Sequence, residues 1–347
     1  MIMTTRLRIS MIAAALATAL SAPGAFAQQK FTVAAYGGSY EEMMRKEIIP
    51  AFEKKTGAKV EYVAGNSTDN IARMQAQRAN QEIDVAILDD GPMYQAVALG
   101  LCGELKGVNY GDLYPIADMK TGKSVTIGVV ATGLMYNKKY YADNKLAPPT
   151  SWNDLKDVKF RKKLVIPPMN NSYGLHTVVM MARLNGGGEK NIDPGFKVMK
   201  DEIAPNVLAF EPQPGKMTEL FQSGQAVFGV WGSGRVKAFQ DTGFPVEFVY
   251  PKEGAIALGI SACPVAKPNA SPLAQEFVAF MLSPEIQAVH AKGAGAGPVN
   301  KKTVLSADLQ KGLPYGDAVS KLIAVDWDTI NANRTNWNNR WTREIER

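Results

Sequence analysis

The sequence predicts an α/β protein of two lobes, each a central sheet flanked by helices, with a ligand cleft between them. Three observations carry this. The 347-residue length suits two globular units. Strand-then-helix patterns recur in two series. Two long extended segments, 124–136 and 256–265, stand between and after those series, where the chain can cross from lobe to lobe. Hydrophobic residues make up 46% and charged residues 21% of the chain, an ordinary globular mixture that excludes disordered, collagen-like and disulfide-dense classes.

In the first series, 31–36 reads as a strand, Gly37-Gly38-Ser39 as a turn, and Met44, Ile48 and Phe52 mark a helix by their four-residue spacing. Pro50 kinks or restarts that helix and Thr56-Gly57 ends it. A strand at 59–63 follows, then a helix capped by Asn66-Ser67, a nearly continuous apolar strand at 83–88 and a helix at 91–99. Such apolar strands indicate a parallel sheet covered on both faces, whose ligands sit at the carboxyl ends of strands. Those ends are Tyr36-Gly37-Gly38-Ser39-Tyr40 and Asp89-Asp90-Gly91-Pro92. In the second series, strands are expected at 164–166, 207–209, 226–230 and 246–250, with helices near 175–184, 195–200, 216–222 and 235–240. Gly186-Gly187-Gly188 and Glu211-Pro212-Gln213-Pro214-Gly215 read as surface loops. Helices at 272–281 and 284–291 and a helical C-terminus close the chain.

The N-terminus carries Arg6 and Arg8, an apolar run over 9–20, Pro23, and Ala25-Phe26-Ala27. This is the order of a secretory signal, with cleavage expected after Ala27 and export to the periplasm. The run is too short for the ~20 helical residues of a membrane span, which disfavours an anchor. Removing Arg6 and Arg8 leaves 37 basic against 33 acidic residues, a mild +4. No basic block accompanies the excess, so nucleic acid is not an expected partner. Two cysteines and two histidines, His176 and His290, cannot build a thiolate or imidazole metal site, and no cofactor is expected. After export, Cys102 and Cys263 either close a disulfide or sit as two small buried hydrophobes.

Five stretches, taken in order, resemble the extracellular solute-binding proteins of ABC transporters, in the branch of the spermidine/putrescine receptors. They are Ile49-Pro50-Ala51-Phe52-Glu53-Lys54-Lys55-Thr56-Gly57, Gly133-Leu134-Met135-Tyr136-Asn137-Lys138, Thr150-Ser151-Trp152-Asn153-Asp154-Leu155, Tyr250-Pro251-Lys252-Glu253-Gly254-Ala255 and Gly297-Pro298-Val299-Asn300. The resemblance spans essentially the whole chain after the signal. It implies a type II periplasmic-binding-protein fold, with lobe 1 at 28–133 plus 251–298 and lobe 2 at 134–250 plus 299–347. It also implies closure on a solute and delivery to an inner-membrane ABC permease by a monomeric receptor.

The candidate ligand contacts follow from strand ends. Tyr36 and Tyr40 flank the turn that holds Gly38 and Ser39, where aromatic faces and exposed N–H groups meet a ligand. Asp89 and Asp90 point to different sides, and Asp90 is taken to face the cleft, either as the partner of an ammonium or as a cap for the helix from Gly91. Trp231, Ser233 and Arg235 follow a second-lobe strand, and the Arg235 guanidinium suits a carboxylate. Ser172 and Tyr173 lie where polyamine receptors carry acids, and Glu253 comes from the fourth resembling stretch. Amides and hydroxyls replace those acids at Asn170-Asn171-Ser172-Tyr173, and Ala257-Leu258-Gly259-Ile260-Ser261 replaces the tryptophan and aspartate typical of polyamine binding. The expected solute is therefore a small amine-containing or zwitterionic molecule of amino acid or γ-amino acid type, with a polyamine as the alternative. Tyr136 and Tyr173 are not an adjacent pair of the kind iron receptors use. An enzyme is disfavoured: Trp231-Gly232-Ser233-Gly234-Arg235 lacks the outer glycines of a nucleophile elbow, and Gly293-Ala294-Gly295-Ala296-Gly297 lacks dinucleotide spacing. A sensor subunit that binds the same solute differs only in its docking partner.

Overall fold

The computed structural model describes residues 30–310 and 312–346, so the signal segment and its cleavage point lie outside the described residues. Nine strands are described: β1 (Lys30–Ala35), β2 (Lys59–Ala64), β3 (Val85–Asp89), β4 (Val125–Asn137), β5 (Leu164–Ile166), β6 (Val207–Phe210), β7 (Phe228–Gly232), β8 (Val246–Val249) and β9 (Ile256–Pro264). They run β2-β1-β3-β9-β4-β7-β5-β6, with β8 also paired to β4. β1 pairs in parallel with β2 and β3, and β5 in parallel with β6 and β7. These two parallel sets are the two strand–helix series.

β4 joins them. Its residues Val125 to Thr132 pair antiparallel with β9, and Thr132 to Tyr136 pair with β7. All 13 of its residues are buried, because it carries partners on both edges and helices on both faces. β1 shows how each parallel set is covered. Phe31, Val33 and Ala35 enter one core with Phe52 and Phe277, whereas Ala34 enters another with Ile71 and Met74. In the second set, Leu164 and Ile166 face Trp152 and Trp341, and Val165 faces Phe221 and Trp231.

Local chemistry sets the helix ends. The first helix starts at Ser39, passes through a π-helical turn (Met44–Ile48) and continues as Ile49–Thr56, with Pro50 at the start of that last segment, directly after the π-helical turn. Gly57 at φ +72° closes it. The Asn66 side chain accepts from Asp69 N at 2.9 Å and caps the helix Ser67–Ala76. Cys102 and Cys263 form a disulfide with Cα atoms 5.8 Å apart, tying the segment after the helix Asp90–Ala98 to the end of β9.

The chain beyond β9 does not pass to the second set at once. Val299 belongs to the core around Phe31, Asn300 donates to Leu282 O at 2.7 Å, and Leu305 and Leu313 pack with Ala291. At Ile323 it pairs with Ala255 and Ala257, and the C-terminal helix Trp327–Glu344 then buries Ile330, Trp337 and Trp341 in the core of the second set. Among the described residues, no helix is long and apolar enough to cross a membrane.

Candidate functional site

A cavity of about 350 Å³ opens where the carboxyl ends of both parallel sets meet. That volume suits a small organic solute. Its wall is built from strand-to-helix turns: 36–40 after β1, 64–68 after β2, Asp89 at the end of β3, 170–173 after β5, 211–215 after β6 and 231–235 after β7. Five of these turns open a helix toward the cavity, so the positive ends of several helix dipoles face it. Asn66 and Asn171 cap their own helices, but no side chain caps the helices beginning at Ser39, Pro214 or Ser233. The two crossing strands add apolar surface through Val130, Leu258 and Ile260.

Two polar bridges cross the cleft. Arg235 Nη1 donates to Gly37 O at 3.0 Å and to Ser39 Oγ at 3.2 Å, and the guanidinium lies 6.0 Å from the Tyr36 ring centroid. In the second bridge, Ser172 Oγ donates to Asp89 Oδ2. The Asp89 N–H is itself held by Ser67 Oγ at 3.0 Å, which fixes the end of β3. Burial pushes the Asp89 carboxyl above its ordinary range, opposed by the hydrogen bond from Ser172 and by the charge of Arg235. The Tyr36 hydroxyl is buried beside Asp89, and desolvation holds it firmly protonated. Tyr36 meets Tyr40 edge to face at 5.0 Å, and Tyr40 OH lies 3.1 Å from His290 Nε2. Burial lowers His290 to about 4, so this back wall is uncharged at neutral pH.

Of the residues expected from the sequence, Tyr36, Gly38, Ser39, Tyr40, Ser172, Tyr173, Trp231 and Arg235 line this cavity. Three do not. Asp90 begins a helix, and its carboxyl turns back to accept from Gly91 N at 3.0 Å and to lie against Gly259 of β9, so the cavity receives Asp89 instead. The two acids do point apart, but the one on the strand rather than the one on the helix faces the cleft. Ser233 is buried and accepts from Ala131 N at 3.0 Å, pinning the turn after β7 to the crossing strand. Glu253 accepts from Ser151 Oγ and, at 3.2 Å, from Trp152 N, which holds the loop before β9 to the 3₁₀ turn Trp152–Lys156.

Other lining residues escaped the sequence reading. Glu211-Pro212-Gln213-Pro214-Gly215, expected as a surface loop, lines the cavity because the helix Pro214–Gln222 starts directly from the strand-end side of β6. Asn66, Ser67 and Thr68 stand in the same relation to β2. The signal was available: every parallel strand followed by a helix presents its turn to the same edge. The lining thus carries Asp89 and Glu211 as acids and Arg235 as its base.

The sequence profile of the bacterial extracellular solute-binding proteins matches residues 47–313. A gamma-aminobutyric acid-binding protein of Pseudomonas aeruginosa is 25% identical over 332 residues, covering 90% of this chain and 88% of that protein. Among solved structures, the periplasmic binding protein AfuA from Actinobacillus pleuropneumoniae, with fructose-6-phosphate bound, superimposes with a TM-score of 0.78 at 22% identity, covering 92% of this chain and 99% of that one. The Atu4243-GABA receptor gives 0.74 at 21% identity, covering 90% and 97%. The fold is thus that of a type II periplasmic binding protein. The chain belongs to the bacterial extracellular solute-binding protein family. It is a solute-binding receptor of the kind that serves ABC transport, and its relatives are binding proteins working with a permease.

Proposed function

We propose that this receptor binds a small zwitterion with an acid at one end and an amine at the other, of the γ-amino acid type, and presents it to an inner-membrane ABC permease. One observation carries the reading: a guanidinium, Arg235, and a carboxylate, Asp89, face the same 350 Å³ cavity from different sides. Arg235 takes the ligand's acid and Asp89 its ammonium, while Tyr36, Tyr40, Tyr173 and Trp231 pack on the carbon skeleton. The names of the Pseudomonas relative and of the Atu4243 receptor, both of which refer to γ-aminobutyrate, support the same class. A polyamine fits less well, because its second ammonium would meet Arg235.

The mature receptor is a monomer, released to the periplasm by cleavage after Ala27, that binds without catalysis and closes its two lobes on the solute. A thermal-shift screen over 4-aminobutyrate, other ω-amino acids, aminophosphonates, diamines and sugars tests the reading, because a bound ligand raises the melting temperature by mass action. A zwitterion should give the largest shift. A response to putrescine with none to zwitterions would overturn it.

A further inference from the structure

Behind Asp89, outside the cavity wall, lies a buried arginine that the ligand reading does not use. Arg334, on the C-terminal helix Trp327–Glu344, is 6% exposed, and its Nε, Nη1 and Nη2 have no hydrogen-bond partner among the described residues. Its helix is seated on the turn that follows Asp89. A Cβ on Gly91 would stand 2.2 Å from the Trp327 ring, and Asn331, one turn before Arg334, donates to Gly91 O at 3.3 Å. The guanidinium lies 5.9 Å from the Trp327 ring centroid, and the Trp327 ring lies 5.7 Å from that of buried His176.

A buried guanidinium without partners is costly unless opposite charge stands near. The negative charges acting on Arg334 are those of Asp89 and Asp90. The nearby His176 is kept neutral, lowered to about 3 by burial and by the charge of Arg334. Facing Asp89 itself are the Tyr36 hydroxyl from β1, Ser172 and Tyr173 from the helix Ser172–Leu184, Arg235 from the helix Ser233–Asp241, neighbouring Asp90, and Arg334. Two of these are cations. Arg235 is committed to Gly37 O and Ser39 Oγ, and once a ligand acid sits on it, its charge is neutralised. Arg334 does not line the cavity and keeps its charge throughout.

We infer that Arg334 is a positioning residue of the binding site: from behind the cavity it holds the Asp89 carboxyl as the anion that receives an ammonium, and so selects amines over neutral head groups of the same size. This rests on the reading of Asp89 as the amine's partner. Burial alone favours the neutral acid, and a neutral acid recognises a hydroxyl as readily as an amine, so the selectivity depends on a counter-charge that the ligand does not cancel.

The test follows the aspartate carboxyl resonances of the ligand-free, ¹³C-labelled full mature chain against pH, with Asp89 assigned by Asp89→Asn. Arg334→Met and Arg334→Gln are read in parallel, so that a packing defect peculiar to one side chain does not decide the result. Both neutral variants should move the Asp89 transition upward, and Arg334→Lys should restore it. An unmoved transition in the neutral variants overturns the inference. In calorimetry, Arg334→Met should lose affinity for 4-aminobutyrate by about tenfold per pH unit below the new transition, as one linked proton requires, while affinity for 4-hydroxybutyrate stays constant. Equal loss for both ligands at every pH would assign Arg334 a packing role and also overturn the inference. If the wild-type chain ignores 4-aminobutyrate, the zwitterion reading fails, and the carboxyl titration still decides the role of Arg334.

Discussion

The turns Tyr36-Gly37-Gly38-Ser39-Tyr40 and Trp231-Gly232-Ser233-Gly234-Arg235 occupy equivalent places, each between a parallel strand and a helix that no side chain caps. Their glycines answer different demands. Gly38 sits at φ +68°, where only glycine is unstrained, and a Cβ there would find its nearest neighbours at 3.5 Å and beyond. Gly232 has an ordinary φ of −85°, yet its Cβ would stand 2.3 Å from the Tyr173 hydroxyl, and a Cβ on Gly234 would stand 2.1 Å from Ala294 O. One turn needs conformation and the other clearance. They also present different chemistry: the first offers a carbonyl and a hydroxyl, and the second reaches across with a guanidinium. Similar composition therefore hides two physical requirements, and substitution should separate them.

The largest effect is expected at the reaching side chain. Arg235→Ala removes both the ligand's charged partner and the bonds to Gly37 and Ser39, so affinity for 4-aminobutyrate should fall by about 100-fold, near the upper end for one charged hydrogen bond, in calorimetry. Its ligand-free melting temperature should stay near wild type, and a large drop in melting temperature would make Arg235 a structural residue. Next come the glycines. Gly234→Ala forces backbone apart and should cost about 1–3 kcal/mol in denaturant unfolding. Gly38→Ala meets no clash, and its cost of about 1–3 kcal/mol comes from placing alanine at φ +68°, ψ −140°, a backbone region open to glycine. A Gly38→Ala variant as stable as wild type would erase the distinction between conformation and clearance.

The third strand end extends the comparison to its acids. Asp89→Asn should weaken 4-aminobutyrate binding about tenfold, whereas Asp90→Asn should leave it unchanged. The reverse result would mean that the carboxyl facing Gly259 is the ligand's. The smallest effect is a pH dependence. Burial raises Asp90 to about 7, so the folded chain holds that proton more tightly than the unfolded chain does. The resulting stabilisation is complete below about pH 4 and is lost as pH rises to about 7. Asp90→Asn should therefore gain on wild type across that window, on the order of 1 kcal/mol once the partial exposure of this residue is counted. Parallel stability curves would place the Asp90 carboxyl in a more solvated setting.

The fold was legible because its signals are local and periodic. Alternation at Phe31, Val33 and Ala35, the four-residue spacing of Met44, Ile48 and Phe52, and the long apolar run of β4 each carry their own structure. The cleft was legible at the two glycine turns for the same reason. What escaped depends on contacts distant in sequence. Choosing between Asp89 and Asp90 requires knowing that the helix begins at Asp90, one residue earlier than its composition suggests. The disulfide between Cys102 and Cys263 joins residues 161 apart. The packing of Leu305 and Leu313 on Ala291, before the chain turns toward the second set of strands, has no periodic signature. Nor does Arg334, whose burial depends on Trp327 settling over Gly91.

The central claim, that Arg235 and Asp89 hold the two ends of one zwitterion, is tested most directly by calorimetric titration of the wild-type mature chain with three ligands sharing a four-carbon skeleton: 4-aminobutyrate, butyrate and butylamine. The account predicts that 4-aminobutyrate binds at least about tenfold more tightly than either single-charge ligand, because each of those forfeits one charged hydrogen bond worth about 1.5–3 kcal/mol. Butylamine or butyrate binding as tightly as 4-aminobutyrate would contradict it.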